Sequence, residues 1–354
     1  MNVALLILSA LLIISIQAMV YRKWGLKGVD YSRFFLHDSV FEGTDVQLIE
    51  VVTNNKLLPL PWLRLESRVD PGLKFQRQSN MDIKHQEFHK SFFSIMPFTK
   101  ITRRHTVNCS RRGYYEINSA VLSCNDIFNM TQLYEELPLS ANITVYPRIS
   151  PLHELGLASQ SWNGDVVVRR WIVDDPFMVS GVREYRYGDP MNRINWSSTA
   201  RTGKLQVYNT DYTANIKLMI LLNMETLDKS WNYSTSNELI EKGISYCASL
   251  ADYSISKGIE TGFGCNGCLK GRPGEPVFIP SRCSIEQMRY LLDVMARIVL
   301  KIPIQFHSFL DDIINTEVRN TDFLILTAYE DEHIKDRVNE IRKLGNSVEL
   351  LCLK

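Results

Sequence analysis

The sequence predicts an α+β multidomain protein: an N-terminal transmembrane helix, an antiparallel β-sandwich, and a C-terminal α/β domain with a mainly parallel sheet. Three observations predict it. Val3 to Val20 is an uncharged apolar run. Residues 39–147 are short segments rich in β-branched and aromatic residues, punctuated by turn formers, as in an all-β sandwich. From residue 211 apolar runs alternate with helix-like amphipathic ones, the pattern of a parallel sheet covered on both faces.

The first run, VALLILSALLIISIQAMV, has Ser9, Ser15 and Gln17 as its polar members. It is just long enough to span a bilayer, which takes about 20 mostly apolar residues. Arg22, Lys23, Trp24 and Lys27 follow, and nothing basic precedes it. A cleaved signal peptide opens on a positive segment, so residues 1–21 are expected to stay as an anchor, with a secretory signal as the alternative. The basic flank places the bulk of the chain in the cytoplasm, as a single-pass cell-membrane protein. Residues 22–38 are expected to be a juxtamembrane linker.

Within 39–147 the expected strands are VQLIEVV, LPWLRLESRV, KSFFSIMPF, KITRRHTVNCS and GYYEINSAVLSC. Arg103, Arg104, Arg111 and Arg112 fall on two neighbouring strands, as a solvated face or as a contact with anionic lipid near the anchor. Residues 148–210 form a connecting region in which WNGDVVVRRWIVDD is a further possible strand.

That region ends in REYRYGDPMNRINWSSTAR, from Arg183 to Arg201. REYRY suits a short strand and Gly188 a sharp turn. Asp189 suits a helix N-cap with Pro190 at the first helical position. MNRINWSSTAR would be the helix, ended near Gly203, and KLQVYNTD the next strand. In 211–354, IKLMILLN, IETGFGC, DFLILTA and SVELLCL read as strands. NELIEKGISYCASLADYSISKG, SIEQMRYLLDVMARIVLK, FHSFLDDIINT and EDEHIKDRVNEIRKLG read as helices, the second capped by Ser284 with Glu286 at the positive end of its dipole.

At 354 residues, 45% hydrophobic and 22% charged, the chain has the composition of a folded protein of two or three domains. Forty Lys and Arg against 39 Asp and Glu give a net charge of +1, which argues against general nucleic-acid binding. Seven irregularly spaced cysteines fit a reduced compartment better than a disulfide framework. No P-loop motif appears, so no nucleotide site of that kind is evident. His85 and His89, four apart in a strand-like context, would stand about 13 Å apart, too far to ligate one ion.

Arg183, Tyr185, Gly188, Asp189, Arg193, Ile194, Trp196, Ala200, Arg201, Gly203 and Leu205 form a signature that resembles domain of unknown function family fifty-eight. The resemblance extends to RRGYYEI in the β-rich part and to the C-terminal half. It implies a membrane-anchored protein with a von Willebrand factor A-like domain, encoded beside a MoxR-type AAA+ ATPase and often near a membrane-bound transglutaminase-like protein. It implies an adaptor and no known reaction. The chain departs from the family habit of two N-terminal membrane helices, having one such segment.

In α/β sheets of this kind ligands sit beyond the carboxyl ends of the strands, where metal-binding A domains place Asp-x-Ser-x-Ser. Here that position holds Asn223, Glu225 and Thr226, a poor set for Mg or Mn, since hard cations need several oxygen ligands. The expectation is no cofactor. Cys265 and Cys268 form a lone CxxC in a glycine-rich loop, which is a weak signal of redox or zinc chemistry. The signature residues Arg183, Tyr185, Arg186, Gly188, Asp189, Arg193, Trp196 and Arg201 suit either a paired network joining two domains or a docking surface for an acidic loop or phosphate.

The function expected is a bacterial, non-enzymatic, membrane-anchored adaptor that partners a MoxR-like ATPase, touches lipid through its anchor, and binds no nucleic acid. The alternatives are a phosphate- or nucleotide-binding enzyme built on the arginines, and a metal-dependent sensor.

Overall fold

A computed structural model describes residues 3–75, 88–151, 174–186, 189, 191, 194–212, 217–226 and 233–353. The chain divides into two compact units, residues 1–148 with 295–297, and residues 149–294 with 298–354.

The first unit opens with helix α1 (Val3–Trp24), the helix long and apolar enough to cross a membrane among the described residues. Nine strands follow among the described residues: β1 (Val29–Phe35), β2 (Ser39–Phe41), β3 (Asp45–Asn54), β4 (Leu60–Arg68), β5 (Leu73–Phe75), β6 (Phe88–Ile95), β7 (Lys100–Cys109), β8 (Gly113–Asn125) and β9 (Gln132–Tyr146). They form two sheets, ordered β1-β3-β7-β5 and β2-β9-β8-β4-β6. All pairs are antiparallel except β2 with β9.

The expected sandwich is present, but the boundary drawn before it was wrong. Residues 22–38 are not a linker: they hold the last turn of α1 and all of β1. The strand hid in the sequence because its inward positions include Tyr31 and Arg33 beside Phe35, a polar set that passes for a surface segment. One apolar cluster of the core gathers Leu48, Val107, Ile117 and Ile143. The other gathers Leu63, Leu65, Phe93 and Leu122. Of the four arginines expected on a solvated face, Arg104 and Arg111 are exposed. Arg112 is buried, and Arg103 is half-buried with its guanidinium 4.0 Å from the centre of the Phe93 ring.

The second unit begins with β10 (Asp174–Glu184), α2 (Trp196–Thr202) and β11 (Gln206–Tyr212). Then come β12 (Lys217–Leu222), α3 (Tyr233–Ser256), β13 (Glu260–Cys265), β14 (Cys268–Leu269), β15 (Val277–Arg282), α4 (Ile285–Arg297), β16 (Ile298–Val299), α5 (Phe306–Asn315), β17 (Thr321–Thr327), α6 (Glu332–Lys343) and β18 (Ser347–Cys352). The main sheet runs β15-β13-β12-β17-β18. Its central pairs are parallel and β15 is antiparallel at one edge. Continuous apolar runs such as KLMILL become strands buried on both faces. Ser284 accepts from the Gln287 N–H as the cap of α4, and Asp331 from the Ile334 N–H as the cap of α6. Gly243 of α3 lies against Leu222 and Leu353; an added Cβ would fall 2.9–3.0 Å from their methyl groups.

Candidate functional site

The signature forms an antiparallel ribbon, β10 with β11, that pairs Arg183 with Val207 and Glu184 with Gln206. Beyond the ribbon, the Tyr185 N–H donates to the Leu205 carbonyl and the Asn195 N–H to the Gln206 carbonyl. The expected helix starts later than predicted. Asp189 is not its cap; Asn195 is, accepting from the Ser198 N–H at 3.0 Å. The Asp189 carboxylate is already engaged: it takes two parallel hydrogen bonds from Arg183, both 2.7 Å, and one from the Arg186 N–H at 2.7 Å. Those donors, Arg183 first, hold the Asp189 carboxyl down at about 2. Gly203 ends the helix at φ 70°, a left-handed position that favours glycine. Gly188 and Arg193 lie outside the described residues.

The module turns its chemistry outward. Arg183, Arg186 and Arg201 are exposed. Trp196, at 69% exposure, stands out from the start of α2. Tyr185 is half-buried. Trp, Tyr and Arg are the residues that dominate binding energy at protein interfaces.

The second expected site lies where β12 and β17 adjoin and the connections leave in opposite directions, the usual ligand position of an open α/β sheet. Here it is filled by the chain itself. Glu225 Oε1 accepts from the Phe306 N–H at 2.8 Å and from Asn266 Nδ2 at 3.3 Å, while Glu225 Oε2 accepts from the Tyr329 hydroxyl. Asn223 donates to Thr327 and accepts from the Glu225 N–H. Asn266 Oδ1 accepts from the Met224 N–H. Burial first, and the bond to Glu225 next, push the Tyr329 hydroxyl above its ordinary value. Gln305, the residue before α5, makes no side-chain cap bond; the Glu225 carboxylate takes that place at the positive end of the helix dipole. Thr226 is half-buried beside this network. With the carboxylate committed to three donors, the set does not fit a hard cation.

Asn266 lies between Cys265 and Cys268, so the CxxC loop supplies the amide that ties the end of β13 to the segment after β12 and to the Ile304 carbonyl before α5. Both thiols are buried, as is Cys247. Burial, with Cys265 nearby, pushes the Cys247 thiol well up, which makes it inert.

A third cluster escaped the sequence reading. Arg33, Glu50 and His105 point inward from one sheet of the sandwich, and Ser67, His89 and Ser91 from the other; all are buried. His105 Nε2 lies 2.7 Å from Glu50 Oε2, and Ser91 donates to the same oxygen at 3.0 Å. Tyr31 donates to Glu50 Oε1 at 3.1 Å. Arg33 Nε is 3.5 Å from Glu50 Oε1, and the same guanidinium donates to Ser67 and lies 3.4 Å from His89 Nδ1. Burial alone would raise the Glu50 carboxyl; the His105 hydrogen bond and the Arg33 charge overcome it and hold it at about 2. Burial and then the Arg33 charge press His89 down to about 3.

Glu50, His89 and His105 bring ligand-type atoms within 4.8 Å of one another. Arg33, however, already supplies the positive charge that Glu50 needs, and a dication would face its guanidinium. The cluster is a buried Arg33–Glu50 ion pair flanked by the His89 and His105 rings. A signal for it was visible: in VQLIEVV, Glu50 occupies the same phase as Val46, Leu48 and Val52, the phase that faces the core.

Residues 181–340 match the family model described as "Protein of unknown function DUF58". This segment belongs to that family. The DUF58 segment runs from the ribbon through most of α6 and contains both the signature and the Glu225 network. No curated protein matches the chain.

Similar solved structures include Escherichia coli alpha-2-macroglobulin from domain MG7 to its C-terminus, with 9% identity, TM-score 0.27, and coverage of 34% of this chain and 24% of that one. Bacillus subtilis Spo0M, a sporulation control protein, gives 14% identity, TM-score 0.19, and coverage of 32% and 49%. The seventh ScaB type I cohesin from Pseudobacteroides cellulosolvens gives 12%, 0.22, and coverage of 34% and 95%. The chain thus spans a quarter to a half of the first two, and likenesses this distant carry nothing about function.

Proposed function

We propose that the protein is a non-enzymatic, membrane-anchored adaptor whose DUF58 signature docks a protein partner, a MoxR-like AAA+ ATPase. The observation that carries this reading is the outward display of Arg183, Arg186, Arg201 and Trp196 on a ribbon and capped helix that are themselves closed by hydrogen bonds. A network joining domains would bury and pair its arginines; these face solvent. The Arg183–Asp189 fork stiffens the turn that presents Arg186. The ATPase as partner, with a transglutaminase-like membrane protein as a further one, comes from the family resemblance.

The strand order, with one antiparallel edge strand, supports the A-like reading of the second unit, and the Glu225 network supports a metal-independent version of it. The apolar α1 supports anchoring, with the bulk of the chain on the side of Arg22 and Lys23.

The test is affinity capture of tagged full-length protein from solubilised native membranes with ATP hydrolysis blocked, beside Arg186→Glu and Trp196→Ala. Wild type is expected to bring down an AAA+ ATPase and both variants to lose it while unfolding at the wild-type midpoint. No ATPase with wild type would sink the proposal.

A further inference from the structure

We propose that the end of the sandwich that carries α1 is itself a bilayer-docking surface, with three loop tips seated in the interfacial zone of the membrane that α1 crosses. The inference rests on reading α1 as a membrane anchor, and it adds that the folded domain lies on the membrane rather than hanging from a tether.

The register places three connections at that end. β1 starts opposite Asn54, the last residue of β3. β4 starts opposite the end of β6, and β8 ends opposite the start of β9. The connections 55–59, 96–99 and 126–131 therefore all flank the point where α1 enters. Each exposes large apolar side chains: Leu57 on the first, Met96 and Phe98 on the second, Ile127, Phe128 and Met130 on the third. All six are 52–77% exposed. Lone exposed apolar residues are ordinary, but a concentration of them at one end marks an interaction site. Phe98 is held at φ 50°, a left-handed position that usually goes to glycine or asparagine. An exposed phenylalanine there has no evident use in water.

α1 is not free to swing away from this end. Lys56 Nζ donates to the carbonyls of Trp24, Gly25 and Lys27 at 2.6–3.0 Å. Buried Tyr21 donates to the Pro59 carbonyl at 2.8 Å. A side chain at Gly25 would strike the Tyr21 carbonyl and Leu133. The decisive contact is Gln17. With its amide turned to satisfy both partners, it accepts from the Ile127 N–H at 3.2 Å and donates to Asp126 at 3.3 Å.

Gln17 precedes Arg22 by five residues, so the third tip lies about 8 Å to the membrane side of that arginine at 1.5 Å rise per residue. An arginine following an apolar span sits at headgroup level. Ile127 and Phe128 then fall at the headgroup–acyl boundary, where interfacial segments bury their apolar faces. Arg22, Lys23, Lys27 and Lys56 ring the same end, as expected against anionic headgroups. The occupant is thus a lipid surface, because the surface is continuous with a helix whose own partner is lipid.

The test uses full-length protein in vesicles of phosphatidylcholine and phosphatidylglycerol, with the exposed Cys283 and Cys352 replaced by serine. A fluorescent probe is attached in turn at Leu12→Cys in α1, at Phe98→Cys and Phe128→Cys on the tips, and at Thr44→Cys at the opposite end of the same sandwich. Quenching by nitroxide-bearing lipid is then read. Several-fold stronger quenching at positions 98 and 128 than at 44, with position 12 also quenched, is the expected result. Quenching at 12 with none at 98 and 128 would overturn the docking surface and leave the anchor standing. No quenching at 12 would overturn the anchor reading and the surface with it. Tip probes that shift to shorter wavelength without quenching would overturn the lipid assignment in favour of a second copy or another protein.

Discussion

Two of the arginine–carboxylate pairs among the described residues stand in opposite surroundings. Arg33 and Glu50 sit in the middle of the sandwich with no solvent exposure. Arg183 and Asp189 sit at the surface of the signature, with 42% of the Arg183 side chain exposed. The exposed pair has the better geometry, a two-pronged fork at 2.7 Å, yet water competes for it and salt screens it. The buried pair is looser, but neither charge has solvent to fall back on. Geometry therefore does not rank them; environment does. The buried pair governs folding, and the exposed pair orients a surface.

The comparison can be broken most directly at Glu50. Glu50→Ala leaves Arg33 uncompensated and is expected to cost about 3–5 kcal/mol, the usual penalty for half of a buried pair. Urea unfolding of the full-length protein in detergent measures it. An Arg33→Met, Glu50→Leu double variant should recover most of the loss; no recovery would mean that the two residues do not act as a pair.

Acid probes the same cluster without mutation. His89 has a folded value depressed from 6.5 to about 3 and Glu50 one depressed from 4.5 to about 2. The unfolded chain therefore binds these protons at higher pH than the folded one. Stability is full above pH 6.5 and falls as pH drops towards 2. Thermal melts across that range should slope downward with acid, and His89→Leu should flatten the part between 6.5 and 4.5.

Glu225→Ala should cost about 1–3 kcal/mol, because it removes the cap of α5 and strands the Tyr329 hydroxyl. Melts with and without added magnesium should coincide for wild type; a rise with the ion would revive the metal site.

The smallest effect is expected at the exposed pair. Arg183→Ala should leave the unfolding midpoint nearly unchanged in high salt and low, while weakening partner capture. A large loss of stability there would erase the contrast with Glu50.

Much of the architecture was legible in residue patterns. LMILL (218–222) and FLIL (323–326) announce doubly covered strands because every position in them is apolar. Ser284 caps the helix it precedes because capping is local. The signature positions were legible too, as residue types, and the match over residues 181–340 bears out the family they pointed to.

The departures have a common cause. β1 was missed and Asp189 misassigned because the pairings that satisfy Arg33 and Asp189 form in the fold, across a strand pair for Arg33 and back onto an arginine six residues earlier for Asp189. Arg33 is a core residue only because Glu50 lies across the strand pair, and Asp189 is no cap because Arg183 holds its carboxylate. Glu225 looked like a degenerate ligand, and its partners are Phe306 and Tyr329, far along the chain. By itself, then, the sequence determined what short-range patterns encode: periodicity, caps, the apolar span and the family signature. Only the tertiary structure decided which charges are buried, which face water, and which strand-end carboxylate caps a distant helix. A partner's charge sets the state of an ionisable group, and that partner is chosen by folding.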